Sequence, residues 1–174
     1  MREEFNRTAL YDYIIITVTL SLWIGLIALT GFFNYLFVFS PFDSIILGFT
    51  IASSVTVLTI IVLVIPFLFS PRGYMLTSTE VIIRRPIRSI SIAYNQIIDV
   101  NQLNWTWKGL RLGGSGGLYG YLGLFYLSNL GKVWMYVTNK NKMLLIKCIN
   151  GSNYIISPDR ADFLTTVKSK LKHV

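Results

Sequence analysis

The sequence predicts two N-terminal transmembrane α-helices followed by a mainly β sandwich or barrel that a C-terminal α-helix caps. Three observations lead there. Two long stretches carry no charge, the hydrophobic period changes to two after Pro71, and a helical period with capping residues returns from Ser157.

The chain has 174 residues, of which 53% are hydrophobic, and its mean hydropathy is +0.55. That exceeds what a small soluble domain uses to fill its core. No charged residue stands between Tyr13 and Phe42, and none between Ser44 and Ser70. Crossing ~30 Å of hydrocarbon takes about 20 helical residues at 1.5 Å each, so Tyr13 to Phe33 and Ile45 to Phe69 are both long enough, joined by a tight loop with Pro41 and Asp43. The expected division is an N-terminal segment over 1–12, a two-helix hairpin over 13–70 and a cytoplasmic domain over 71–174. The first apolar run is longer than a signal-peptide core of roughly 7 to 15 residues and lacks a small-x-small exit, so a retained anchor is expected.

Basic residues set the orientation. The loop from Asn34 to Ser44 has none, whereas Arg2 and Arg7 precede the first helix and Arg72, Arg84, Arg85 and Arg88 follow the second. Both termini are therefore expected in the cytoplasm of a two-pass cell-membrane protein. Beyond Ser70 there are 14 Lys and Arg against four acidic residues, a net charge of +10. Tied to a bilayer, such a domain sits in the negative potential of the inner leaflet, with Arg72, Arg84, Arg85 and Arg88 as the expected contacts to anionic headgroups.

Within the helices, small residues recur at Ser21 and Gly25 and at Gly48, Ala52 and Thr56, four apart on one helical face. Such stripes let helices approach closely in lipid, either each other or a helix of another subunit. Neither stretch holds an ionisable residue, so no ion or proton relay is expected. Pro66 and Pro71 mark a kink or stop at the end of the second helix.

After Pro71, Tyr74 to Thr77 and Val81 to Arg85 read as a hairpin about Ser78-Thr79-Glu80. Arg88 to Ile92 alternates polar and apolar as a half-buried strand does. Further strands are expected at Ile97 to Val100, Lys132 to Val137, Met143 to Ile149 and Asn153 to Ile156, with turns at Thr138 to Lys142 and Asn150-Gly151-Ser152. Ser157 as cap, Pro158 as first helical residue, early Asp159 and Asp162 and late Lys168, Lys170 and Lys172 predict the closing helix, with Phe163, Leu164, Val167 and Leu171 on its buried face.

Gly114-Ser115-Gly116-Gly117-Leu118-Tyr119-Gly120-Tyr121-Leu122-Gly123, then Leu130-Gly131-Lys132, Tyr136-Val137-Thr138-Asn139 and Tyr154-Ile155-Ile156-Ser157-Pro158-Asp159 with Phe163, occur in one order along the chain. Over residues 71–170 this series resembles the prokaryotic pleckstrin homology (PH)-like domain family of membrane-anchored proteins. The resemblance implies a fold and a membrane setting, and it supplies no catalytic residues. The first hairpin loop, Ser78-Thr79-Glu80, is short and acidic, unlike the basic loop through which eukaryotic PH domains hold inositides.

The glycine-rich stretch fails as a nucleotide site. Gly131-Lys132 is followed by Val133, not Ser or Thr, and Tyr126 stands where a phosphate loop needs its first glycine. A dinucleotide fingerprint from Gly114 needs glycine where Tyr119 stands. Gly113-x-Ser115-x-Gly117 matches a nucleophile elbow, with Asp159 or Asp162 and His173 following, but an elbow works on the strand-to-helix turn of a large parallel sheet, which short antiparallel strands do not supply. His173 and Cys148 stand alone, so no metal site is expected. No cofactor is expected either, and membrane anchoring accounts for the positive charge without nucleic acid.

The stretch is too apolar to float in water. It is expected as a loop carrying Gly114, Gly116, Gly117, Tyr119, Gly120, Tyr121, Gly123 and Phe125, with Trp105 and Trp107 beside it, folded between the sandwich and the bilayer or a partner subunit. The competing reading is a bulged strand pair that completes the sheet. The functional expectation is a non-enzymatic accessory or scaffolding subunit of a larger respiratory, transport or secretory membrane complex. The alternative is an autonomous inner-leaflet module for anionic lipid or peptide.

Overall fold

The computed structural model describes residues 4–6, 11–39, 45–104 and 109–172. Helices α1 (Tyr13–Phe39) and α2 (Ile45–Phe69) come first, flanked by β1 (Glu4–Asn6) and β2 (Gly73–Leu76). Both helices are long and apolar enough to cross a membrane, and most of their side chains are uncovered, Ile24 at 69% and Phe49 at 65% among them. They meet through Thr30 and Thr59, whose hydroxyls lie 2.9 Å apart. Pro66 sits inside α2, which runs on to Phe69.

The other described residues form two sheets, a helix and their connections. β3 (Glu80–Arg84) and β4 (Ile90–Ala93) extend β1 and β2 into an antiparallel four-stranded sheet in the order β1-β2-β3-β4. β5 (Ile97–Leu103), β6 (Gly109–Gly117), β7 (Gly120–Leu127), β8 (Gly131–Val137), β9 (Met143–Cys148) and β10 (Asn153–Ile156) make a six-stranded sheet in the order β5-β9-β10-β8-β7-β6, in which β10 and β8 run parallel. α3 (Phe163–Leu171) follows. β1 was not anticipated from the sequence. It pairs Glu4 with Leu76 and Asn6 with Tyr74, so the segment before α1 joins the same sheet as the segment after α2.

Strand periodicity builds two cores. Tyr74, Val81 and Ile83 from the first sheet meet Val100, Ile146 and Ile156 from the second, with Phe163 and Val167 of α3. Phe125, Val133, Met135, Met143, Leu145 and Ile155 form the other cluster. β9 supplies both, Leu144 and Ile146 to one and Met143 and Leu145 to the other, which explains its unbroken apolar run. The six-stranded sheet cannot be flat. Its outermost strands would lie about 24 Å apart at ~4.8 Å per pair, yet the chain from Leu103 to Gly109 reaches at most about 21 Å. The sheet therefore curls.

Ser157 does not cap α3, as the sequence had suggested. The helix begins at Phe163 with Asp162 as its N-cap, and Thr166 N donates to Asp162 O at 2.9 Å. Ser157 is buried instead, its Oγ accepting from Thr138 N (2.9 Å) and Asn139 N (3.2 Å). Its N–H donates to the Tyr74 phenol oxygen at 3.2 Å, and that phenol donates to Tyr136 O at 2.7 Å. Inside the domain those backbone groups have no water to turn to, so the side chain serves them rather than the helix end.

Removing the phenol leaves buried partners unsatisfied. Tyr74→Phe is expected to cost roughly 1–2 kcal/mol, read as a lower unfolding midpoint in denaturant. Burial also pushes Tyr74 up to about 12, so its contribution is complete below pH 10 and declines as pH rises from ~10 toward 12.

Candidate docking site at the glycine-rich hairpin

The glycine-rich stretch is a strand pair, not the loop expected from its composition. β6 and β7 run antiparallel from Gly109↔Leu127 to Gly117↔Gly120, with a register shift between Arg111 and Gly113. Strand propensity fails to flag it because glycine offers no side chain to pack. The backbones themselves require glycine. Gly114 faces Gly123; a Cβ on Gly114 would lie 1.9 Å from Leu122 O and one on Gly123 2.3 Å from Gly113 O. Both also have positive φ, 116° and 111°.

Between the strands, Leu118 and Tyr119 make the turn, which Ser115 Oγ closes by donating to Leu118 O at 2.8 Å. Tyr119 holds φ at 56°, a left-handed conformation that costs a non-glycine residue on the order of 1–2 kcal/mol. Contacts to the helices offset it. Tyr119 N donates to Thr19 Oγ1 at 3.1 Å, and its hydroxyl accepts from Trp23 Nε1 at 2.7 Å. Its carbonyl accepts from Ser70 Oγ at 3.1 Å, and its ring meets Phe67 edge to face at 5.5 Å. Ser70, fully buried, also lies 3.0 Å from the Tyr11 hydroxyl. One turn residue thus touches α1, α2 and the start of the β domain. Two backbone bonds secure the same junction, Asp12 N to Thr138 O (2.7 Å) and Ile87 N to Leu68 O (3.3 Å).

Beside the hairpin lies an apolar cleft of about 470 Å³, between Ile65, Pro66 and Phe69 of α2 and Leu122, Leu124 and Trp134 of the sheet. Arg85 enters it, with its guanidinium 5.5 Å from the Phe69 ring centre and 5.3 Å from that of Tyr136. Its Nε–H donates to Arg88 O at 2.7 Å. A second cleft of about 420 Å³ adjoins the first at Ile65, Pro66, Gly114 and Ser115, and carries Arg111.

The profile of the bacterial PH domain matches residues 72–171, which is more than half of the chain. The chain belongs to the bacterial PH domain family. An uncharacterised protein of Clostridium acetobutylicum is 35% identical over 88 residues, covering 51% of this chain and 29% of the relative. The matched region is thus under a third of that relative's length. No solved structure matches the chain.

Arginines gather where α2 enters the PH domain. Arg72 lies over the Phe67 ring at 4.3 Å, and Arg85 lies between Phe69 and Tyr136. Arg88, exposed, contributes its carbonyl, while Arg84 ends β3 on the exposed surface. The first PH hairpin closes on itself, with Thr77 Oγ1 accepting from Thr79 N and Glu80 N at 3.3 and 2.9 Å. Tyr121 and Phe125 face the second core, Phe125 fully buried. Gly117 packs its backbone on Val18, whose Cγ1 would be 3.2 Å from an added Cβ, and Gly120 sits 2.5 Å, so measured, from Val137 O. Gly116 is exposed beside Arg111. Trp105 and Trp107 lie outside the described residues.

The small-residue stripes divide. Gly48 and Ala52 are buried and Thr56 donates to Ala52 O at 2.9 Å, whereas Ser21 and Gly25 are exposed and nothing lies within 4 Å of a Cβ added to Gly25. Sequence reasoning passed over Thr19, Trp23, Phe67, Ser70 and Tyr11. Trp23, the eleventh of the 27 residues of α1, sits too near the middle of the helix for tryptophan's preference for membrane edges to flag it.

Ser115 stands within an antiparallel strand and spends its proton on the turn. Asp159 pairs with Lys142 and Asp162 with Arg160. Among the described residues no group of three His, Cys, Asp or Glu could hold a metal. Cys148 is buried at 4% exposure, and burial pushes its thiol up. Iodoacetamide at neutral pH is expected to label it at least about tenfold more slowly in the folded chain than after denaturation, read by intact mass.

Proposed function

We propose that this PH domain protein is a non-enzymatic, membrane-anchored scaffold, an accessory subunit of a larger integral-membrane complex, with both termini on the cytoplasmic side. The Tyr119 junction carries the reading. It holds the domain against its anchor, so the orientation of the helices in the bilayer dictates which face the domain presents. α1 is about 40 Å long at 1.5 Å per residue, some 10 Å more than hydrocarbon requires. The domain contacts α1 from Asp12 through Thr19 to Trp23, about 16 Å of its length, which takes up that excess and continues past it. The pairing of β1 with β2 supports two crossings, since it needs the segments before α1 and after α2 on one side. Uncovered apolar positions remain for partners, among them Leu110 at 65% on the edge strand β6 and Tyr126 at 47% on β7 beside it.

Native mass spectrometry after gentle detergent extraction tests this. An accessory subunit co-migrates with other membrane proteins at fixed ratio. The arginine cluster at the membrane end of α2 favours a second reading, an autonomous inner-leaflet module, which migrates alone.

A further inference from the structure

We infer that the cleft between α2 and the glycine-rich hairpin is a binding site for one anionic phospholipid, a reading that rests on the membrane anchoring proposed above. Its two parts meet at Ile65, Pro66, Gly114 and Ser115 and follow α2 from Phe69 back to Ile61, about 12 Å at 1.5 Å per residue. Their volumes, about 470 and 420 Å³, fall in the range of ligand sites, roughly 300–1,000 Å³. The walls are apolar, as an acyl chain requires. Among the described residues Arg85 and Arg111 are the charged groups that line it, and no carboxylate does.

The headgroup follows from that charge pattern. Phe69 and Tyr136 hold the Arg85 guanidinium by their ring faces and Arg88 O takes its Nε–H, which fixes a cation beside the terminal residue of α2. A phosphodiester with a chain running along α2 places its negative charge at Arg85 and its methylenes against Ile65, Pro66 and Leu122. A zwitterionic lipid satisfies the walls but brings its own cation to the arginine.

The full chain in nanodiscs of equal phosphatidylglycerol and phosphatidylcholine, with identical acyl chains, is released into native mass spectrometry. A single phosphatidylglycerol adduct is expected, favoured on the order of tenfold over phosphatidylcholine. Glycerophosphoglycerol, the deacylated phosphodiester headgroup with the same charge but no chain, gives none. Arg85→Gln brings the two lipids to near parity, whereas Arg85→Lys keeps the preference. Gly113 lines the cleft and a Cβ there meets nothing within 4 Å, so Gly113→Phe fills the space and is expected to remove adducts of both lipids. Equal retention of the two lipids by the unaltered chain overturns the site, as does a preference that survives both Arg85→Gln and Gly113→Phe. Carbonate washing separates this from the underlying reading. A chain that stays in the membrane without a preferred lipid loses only the cleft, whereas a chain washed out loses the anchoring.

Discussion

Gly114→Ala is expected to destabilise the PH domain by roughly 3–5 kcal/mol, enough to prevent accumulation of folded protein from a marginally stable chain. Two effects add. At φ 116° an L side chain is strained, and the new methyl carbon lies 1.9 Å from Leu122 O. That oxygen belongs to the backbone of the paired strand and cannot swing aside as a side chain could. The hairpin must open by more than an ångström, which breaks ladder bonds between Gly114 and Gly123 and pulls the Leu118–Tyr119 turn off α1. Gly113→Ala is the control, one residue away with no atom within 4 Å, and is expected to change stability by less than about 0.5 kcal/mol. Denaturant unfolding of the detergent-solubilised chain measures both.

Tyr119→Ala is expected to leave the PH domain folded and to loosen it from its helices. The substitution removes the bond from Trp23 Nε1, about 1 kcal/mol, and the edge contact with Phe67, about 0.5–1.5 kcal/mol, while the left-handed backbone strain stays. Together that lowers docking by roughly 2 kcal/mol, on the order of 30-fold in the docked population. Exposed Arg72 lies at the junction, so trypsin cleavage there should accelerate by at least about tenfold. Tyr119→Phe keeps the ring and is expected to give a smaller change, near the value of one hydrogen bond. An Ala variant cleaved no faster than the unaltered chain would mean that other contacts hold the junction.

The parts of the fold that were legible in the sequence are those where side chains alone decide the outcome. Uncharged length announced α1 and α2, and alternation announced β2, β3, β4, β8, β9 and β10 to within a few residues. Phe163, Leu164 and Val167 announced α3, although Ser157 misplaced its start because a buried backbone cluster claimed the hydroxyl. β6 and β7 were legible only as the competing reading, a bulged strand pair. Their signal is a close approach of two backbones, and that leaves in the sequence only glycines, which read equally as loop. β1 was hidden too, since three residues are too few to show a period and its pairing is fixed by a partner 70 residues away. The docking site was half visible. Tyr119 stood out among the glycines, but Thr19, Trp23 and Ser70 read as ordinary residues of or beside a membrane helix until the turn brought them together.

Amide exchange at Tyr119 tests the docked hairpin most directly, because its N–H has its partner on another element, Thr19 Oγ1. The full chain, labelled with ¹⁵N-tyrosine in nanodiscs and assigned through Tyr119→Phe, is predicted to show a slowly exchanging Tyr119 amide that speeds up markedly in Thr19→Val. Exchange at the rate of an exposed hairpin turn, unchanged by Thr19→Val, would contradict the account.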